Sequence, residues 1–575
     1  MTKTRNMKLR MNSDVLEIYR KICNRIISKI KFNESKQLIQ RFYPTNNREE
    51  ITRRQNYFKE MFNRVNNVSI GEINPIKFNV KRFNDRLLVV SEEEYDKALK
   101  LNVCDVDTRP SGGYPLVLST QGVGIEIEEI NTFEITPEIY ITPLFENKRV
   151  LEEIARVMDA IGHESIISTI LSEVAKIEEV YRKAAFLDRI DELIYSKLAQ
   201  INKSIEDKIK DEKLVLSGRE ILEYLSELKR GSHESFKSKF YKFEEYVVDE
   251  VLAAEREICE ILGINAEIFS KEIFPEINIE EVERLKNEFE KELIAETYLK
   301  SRDILRRIKT LLPKLEEEIN LLYEVEFIRG LREVCKGWNF PKLKEGFIAF
   351  ELAENMFIQD PQPISYFIGN LNTFTSNINT KEEANRNVVV LTGANSGGKT
   401  SLLELIVQIQ ILTQMGLPVP AKNASIDVLD EIYFFKRKKL SYGAGAFESA
   451  LKNFTSALVR DSKKLILIDE FEAITEPGAA VKMLSEFLRI GNEKDFYMVV
   501  VSHMGKELKL DFVRVDGIEA SGLDDNLNLI VNRQPKFGVI GRSTPELVVE
   551  RVFRLSRGKR KEILRRILDA FDDGT

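Results

Sequence analysis

Two periodicities divide the chain. Near its start, Val15, Ile18, Tyr19, Ile22 and Ile26 recur every three or four positions, and the pattern returns from Ile51 to Val65 after the breaker Pro44. Such spacing puts one apolar stripe on a helix, so residues 1 to about 70 predict helices. From about residue 69 to 141 the period shortens. Segments 77–80 and 87–90 read as strands, Pro110, Gly112 and Gly113 punctuate, and 124–129 and 140–142 alternate apolar with polar positions. A small β-rich or mixed unit is expected there, with no evident chemistry. From about 147 to 336 the pattern is almost uninterrupted charged helix, with Val282, Leu285, Phe289 and Leu293 in one stripe and Ile304, Ile308 and Leu311 in another. A helical run of ~30 residues is about 45 Å long, which suits either a long arm or an ordinary helical bundle. After the only tryptophan, Trp338, the pattern turns mixed α/β. Segments 388–392, 464–468 and 496–502 are continuous apolar runs of the kind buried parallel strands show. Residues 544–571 read as helical and basic.

Composition narrows the classes. A chain of 575 residues predicts three or four domains. With 43% apolar and 31% charged residues it is globular, which excludes collagen-like and disordered readings. Lys and Arg number 86 against 93 Asp and Glu, a formal charge of −7. Polyanion binding must therefore come from local basic patches. Cys23, Cys104, Cys259 and Cys335 are dispersed and the three His do not cluster with them, so neither a disulfide framework nor a zinc site is suggested. The N-terminus has charge without an apolar stretch behind it, and no apolar run approaches the ~20 residues of a membrane span. A cytoplasmic protein with no membrane partner is expected.

One segment carries sharp chemistry. Gly393-Ala-Asn-Ser-Gly-Gly-Lys-Thr satisfies G-x-x-x-x-G-K-[ST] between an apolar strand and an apolar helix. Its glycines let backbone N–H groups turn in around phosphate oxygens, and the helix N-terminus adds partial positive charge. Gly393, Ala394, Asn395, Ser396, Gly397, Gly398, Lys399, Thr400 and Ser401 are thus the expected triphosphate cradle. Lys399 is placed to reach the β/γ-phosphates, and Thr400 to ligate Mg²⁺. Downstream, Asp469 ends an apolar run and suits the Mg²⁺ site, and Glu470 beside it suits the general base that orients water. His503 follows a third apolar run, where an imidazole reaches the γ-phosphate or the attacking water. An Asp-Glu pair at a strand end also serves as a loop cap, and a lone His is usually structural. Taken together, the three motifs point to nucleoside triphosphate hydrolysis.

These residues resemble the MutS family of ABC-type ATPases. The phosphate loop differs from that family's usual G-P-N-M-G-G-K-S mainly by Ala394 and Ser396. The run from Thr413-Gln-Met-Gly-Leu-Pro-Val-Pro-Ala through Asp430-Glu-Ile-Tyr-Phe follows the family's A-Q-x-G-x-x-V-P-A and D-x-I-F. The length and layout are most similar to the archaeal second subfamily, without a mismatch-reading domain at the start or a nuclease domain at the end. The resemblance implies a multidomain α and α/β architecture. Residues 1–68 begin a helical core, 69–145 are a small β-rich insertion, 146–337 a helical lever and clamp arm, 338–545 an ABC-type P-loop ATPase domain, and 546–575 a basic helical tail. It further implies ATP and Mg²⁺ as cofactors, a homodimer, and binding of double-stranded or branched DNA without mismatch or sequence specificity. The family's trans-acting signature loop reads Gly445-Ala-Phe-Glu-Ser-Ala here, after Ser441-Tyr-Gly-Ala-Gly.

Lys229, Arg230, Lys237, Lys239 and Lys242, interleaved with Phe236, Phe240 and Tyr241, are the candidate DNA contacts. A solvated helical face gives the same pattern. Arg551, Arg554, Arg557, Lys559, Arg560 and Lys561 form a denser patch, suited to nucleic acid or to a partner subunit. Other readings are an SMC-like or other ABC-type chromosome ATPase, or a nucleotide-locked clamp that does not hydrolyse. The helical region precedes both phosphate motifs, whereas SMC-like chains place it between them.

Overall fold

The computed structural model describes residues 8–66, 68–71, 76, 78–211, 217–230, 234–262, 265–370, 385–393, 398–436, 444–470, 476–508, 510–523, 529–541 and 545–572. The molecule is mixed α/β, with many helices and two wholly parallel sheets among the described residues. Residues 1–68 and 320–575 form one compact unit, and residues 69–319 a second.

The first unit is built on six parallel strands. Their spatial order is Arg10–Met11, Glu431–Phe435, Lys464–Asp469, Tyr497–Val501, Val388–Gly393 and Arg514–Ile518. Every residue of the strands Lys464–Asp469, Tyr497–Val501 and Val388–Gly393 is buried, because helices cover both faces of such a sheet. Ile466, Ile468, Met498 and Val500 pack on Phe454 and Ala457 of helix Ala444–Val459 and on Leu484 and Leu488 of helix Pro477–Glu493. Helix Lys399–Met415 is buried on nearly all sides.

Two strands differ from expectation. The segment before residue 70 is not wholly helical: Arg10–Met11 pairs with Glu431 and Ile432 at the sheet edge, held by the Asn12 amide donating to Phe434 O at 2.7 Å. Two residues are too few to show a period. Helices Ser13–Ile27 and Arg48–Arg64 follow, each begun by an Asn cap, Asn12 and Asn47. At the other edge, Arg514–Ile518 is a strand without an apolar run. Arg514 and Asp516 are buried and bond to each other at 2.9 Å, while the Tyr366 hydroxyl donates to Asp516 at 2.9 Å. A satisfied polar network replaces the apolar signature there. A second sheet, in the order Lys342–Leu343, Asn423–Ile426, Phe347–Ala353 and Ile364–Gly369, is mainly antiparallel.

In the second unit, Asp105–Asp107, Arg86–Val89, Leu116–Ser119 and Ile125–Glu126 form a parallel sheet. Two expected strands are absent. Residues 78–80 have no regular structure, and Lys77 lies outside the described residues. Residues 140–142 lie in helix Glu138–Glu146, entered through Pro137, where Ile139, Ile141 and Leu144 are all buried. A helix buried on several sides mimics alternation over three residues.

The charged region from 147 onward is several helices. Ile190–Asp211, Glu234–Leu262 and Ile279–Ile308 share one core of Ile194, Ile201, Val251, Ile258, Leu285 and Phe289. Between the last two of these helices lies a non-helical stretch, with Phe269 bridged to Ile277 and its N–H given to the buried Glu255 at 3.0 Å. The expected stripe Val282, Leu285, Phe289 and Leu293 is buried.

Candidate functional site

The candidate site lies at the C-terminal ends of the parallel strands. Val388–Gly393 ends with Gly393 at φ +124°, where a Cβ would stand 2.0 Å from the carbonyl oxygen of Ile518. Only glycine fits that approach. Ala394, Asn395, Ser396 and Gly397 lie outside the described residues. Gly398 caps helix Lys399–Met415 at φ +83°. No side chain caps this helix start and its first turn holds no acid, so its N–H groups present partial positive charge.

Three side chains converge at this point. Lys399 is buried and its Nζ donates to Gly393 O at 2.7 Å. Thr400 is exposed, and its hydroxyl donates to Asp469 Oδ2 at 2.8 Å. Asp469 is the buried last residue of its strand. The next residue, Glu470, holds a left-handed backbone at φ +50° while its N–H donates to Val501 O at 3.2 Å. A non-glycine residue held this way costs about 1–3 kcal/mol, and such strain clusters at functional sites. His503 Nε2 lies 3.5 Å from Glu470 Oε1, beside the fully buried Ser502. Ser401 meets the site through its backbone, where its carbonyl accepts from Asn355 Nδ2 at 3.0 Å.

Several neighbours escaped the sequence reading. Asn355 also accepts from Gln408 at 2.8 Å, and Gln408 accepts from Met356 N at 3.1 Å, so a loop is clamped to helix Lys399–Met415. Arg533 lies against Gly398, its Cδ 3.4 Å from where a Cβ would stand. Thr392 donates to Asp516 O and accepts from Gly541 N at 2.7 Å. None of these sits in a local pattern that could single it out.

Comparison with known proteins adds the lineage. The chain is 48% identical over 572 residues to the DNA-binding protein MutS2 of Pyrococcus furiosus, a match covering 98% of this chain and 100% of that relative. The chain belongs to the MutS family, on its archaeal-like MutS2 branch. The family model MutS domain V matches residues 389–491, which hold Lys399, Thr400, Asp469 and Glu470. Endonuclease MutS2 of Ligilactobacillus salivarius is 30% identical over 159 residues, 27% of this chain and 20% of that protein. Endonuclease MutS2 of Lactiplantibacillus plantarum is 29% identical over 168 residues, 28% of this chain and 21% of that protein. Members of the MutS family are ATPases that use ATP with Mg²⁺.

Gly445-Ala-Phe-Glu-Ser-Ala, expected as a loop, falls within helix Ala444–Val459, and Ser441–Gly443 lie outside the described residues. Lys229 and Arg230 end helix Gly218–Arg230 and are exposed. Lys237, Lys239 and Lys242 belong to helix Glu234–Leu262, with side chains outside the described residues. Arg551 and Arg554 lie on helix Pro545–Leu555, Arg557 follows it, and Lys559, Arg560 and Lys561 open helix Lys559–Asp572. All six are exposed. This tail also exposes Val548, Leu555, Ile563 and Ile567. No helix among the described residues is long and apolar enough to cross a membrane.

Proposed function

We propose that this chain is an Mg²⁺-dependent ATPase that uses hydrolysis to control a homodimeric clamp on double-stranded or branched DNA, without mismatch or sequence specificity. One observation carries the reading: the Thr400 hydroxyl on Asp469 at 2.8 Å, with the buried Lys399 ammonium beside it on Gly393 O at 2.7 Å. A hydroxyl and a carboxylate are the hard oxygen donors that Mg²⁺ takes, leaving its other positions to water and phosphate. Bound there, Mg²⁺ would neutralise charge building on the phosphates.

The chain's own groups do the rest. The backbone N–H groups of 393–401 cradle phosphate oxygens, and Lys399 exchanges its carbonyl partner for the β/γ-phosphates. Glu470 accepts the proton of the attacking water, its carboxylate aimed by the strained backbone at the strand tip. His503, at 3.5 Å, holds that carboxylate or the water in line. Arg533, which lies beside Gly398, is a further candidate contact for the nucleotide. The relative's DNA-binding name and the exposed Lys229 and Arg230 support DNA as the partner, with Lys237, Lys239 and Lys242 as further contacts. The apolar residues left open on the tail helices support a second copy of the chain as the other half of the clamp.

Phosphate release from wild type and Glu470→Gln tests the chemistry. Loss of a general base lowers the rate by about 10²–10⁴-fold, with nucleotide binding kept. Equal rates remove Glu470 from that role. Binding to homoduplex, mismatched, forked and four-way DNA at several salt concentrations tests the partner, and a strong preference for one mispair contradicts the proposal.

A further inference from the structure

A groove of about 950 Å³ opens in the first unit, away from the phosphate loop. Its wall is helix Arg48–Arg64, which contributes Arg48 and Lys59. Its floor is the edge strand Lys342–Leu343 with Lys344, and its far side is Lys422 and Asn423 at the start of the neighbouring strand. Five cationic side chains therefore line it, in a protein whose net charge is −7. Glu351 is the one carboxylate in the lining, and it accepts from Asn423 Nδ2 at 2.8 Å.

Not all five cations are equally available. Arg48 donates to Leu343 O at 2.7 Å and pairs with Glu345 at 3.2 Å. Lys59, Lys342 and Lys422 are exposed and have no carboxylate within 4 Å among the described residues. Lys59 is held with its ammonium 5.2 Å from the Phe340 ring centre. The cations are also spread out. Arg48 and Lys59 are eleven positions apart on one face of a helix, about 16 Å at 1.5 Å per residue. A single phosphate ion would be met by cations gathered round a point. Cations spread over this length and open to solvent match a chain of phosphates better than one ion.

We propose that this groove holds the sugar–phosphate backbone of DNA, as a second contact made by the ATPase-bearing unit and separate from the helical segment at 229–242. The inference rests on DNA being the partner, as proposed above. Contacts of this kind position a duplex without reading its sequence.

The test is the salt dependence of binding to a labelled homoduplex of about 30 base pairs, using the full-length chain. In the triple variant Lys59→Gln, Lys342→Gln, Lys422→Gln, the slope of log affinity against log salt should become shallower by about 2–3, and affinity at low salt should fall at least about tenfold. The triple Lys→Arg variant, which keeps the charge, should retain the wild-type slope. A control triple at the exposed Lys21, Lys452 and Lys482 should do the same, with unchanged melting curves confirming folding throughout. An unchanged slope in the Gln triple overturns the groove assignment while leaving DNA binding standing. Competition by an acidic peptide but not by inorganic tripolyphosphate overturns it in favour of a protein partner. Wild type that fails to retain duplex at any salt overturns the DNA reading itself.

Discussion

The two units handle charge in opposite ways. In the first, charged and polar groups are buried inside the parallel sheet and its helices. Glu431 faces Lys464 at 3.4 Å with both side chains essentially inaccessible, Arg514 pairs with Asp516, and Gln408, Gln410 and Gln414 are wholly buried on the phosphate-loop helix. In the second, apart from the buried Glu255, the long helices carry charges outside as neighbouring pairs, such as Arg284 with Glu281 and Glu288, Lys300 with Glu296, and Arg307 with Asp303. Among the described residues of this unit, the deeply buried cation is Arg86, which opens strand Arg86–Val89 and pairs with Glu138. A buried polar group has few acceptable positions, because each unpaired atom costs free energy. The first unit therefore gains fixed geometry within its sheet. A stripe of apolar side chains under solvated charge gives length instead.

Four substitutions sharpen that contrast, taken from large effect to small. Glu431→Gln leaves the Lys464 ammonium buried without its counter-charge and should destabilise the first unit by about 3–5 kcal/mol in chemical denaturation. Burial pushes the Glu431 carboxyl up, but the Tyr433 hydroxyl, Lys464 and Arg10 outweigh it and hold it below its ordinary value of 4.5. Its contribution is thus complete above about pH 4.5 and is lost as pH falls through the lower folded value. The gap between variant and wild type should close in acid. Phe289→Ala in the helical core should cost a similar 3–5 kcal/mol, but the gap should hold at every pH where the chain folds. Gln414→Leu removes the donor to Thr45 O at 2.8 Å and to Leu429 O at 2.9 Å, and about 1–3 kcal/mol should go with it. Arg284→Gln removes two exposed pairs and should shift stability by less than about 1 kcal/mol. If Arg284→Gln matched Glu431→Gln in size, the contrast between the units would fail.

The same contrast explains what the sequence made legible. Strands at 388, 464 and 497 announce themselves because they are apolar throughout, and Gly393, Lys399 and Thr400 because a phosphate loop demands those residues in that order. The Arg514–Ile518 strand stays hidden because Arg514 and Asp516 satisfy each other in the core and break the apolar run. Gly517 is required there for a different reason, since a Cβ would lie 2.4 Å from Gly541 N. Asn355 and Arg533 reach the site only through tertiary packing. The helices from 147 onward are clear in kind, but the break between Leu262 and Ile279 shows in Gly263, Pro275 and a drop in charge, signals that a reading by helical charge pattern alone passes over.

The edge strand at Arg10–Met11 has a consequence for how the molecule is made. Its partner Glu431 lies 421 positions further along. At roughly 5–20 residues per second, the ribosome needs about 20–80 s to supply it. Residues 69–319 are all made within that interval, while the first segment waits for its strand partner with water on its backbone donors. Translation thus runs through an inserted unit before the sheet that brackets it can close, and the edge made first must wait for Glu431 while the opposite edge, Arg514–Ile518, is made later still.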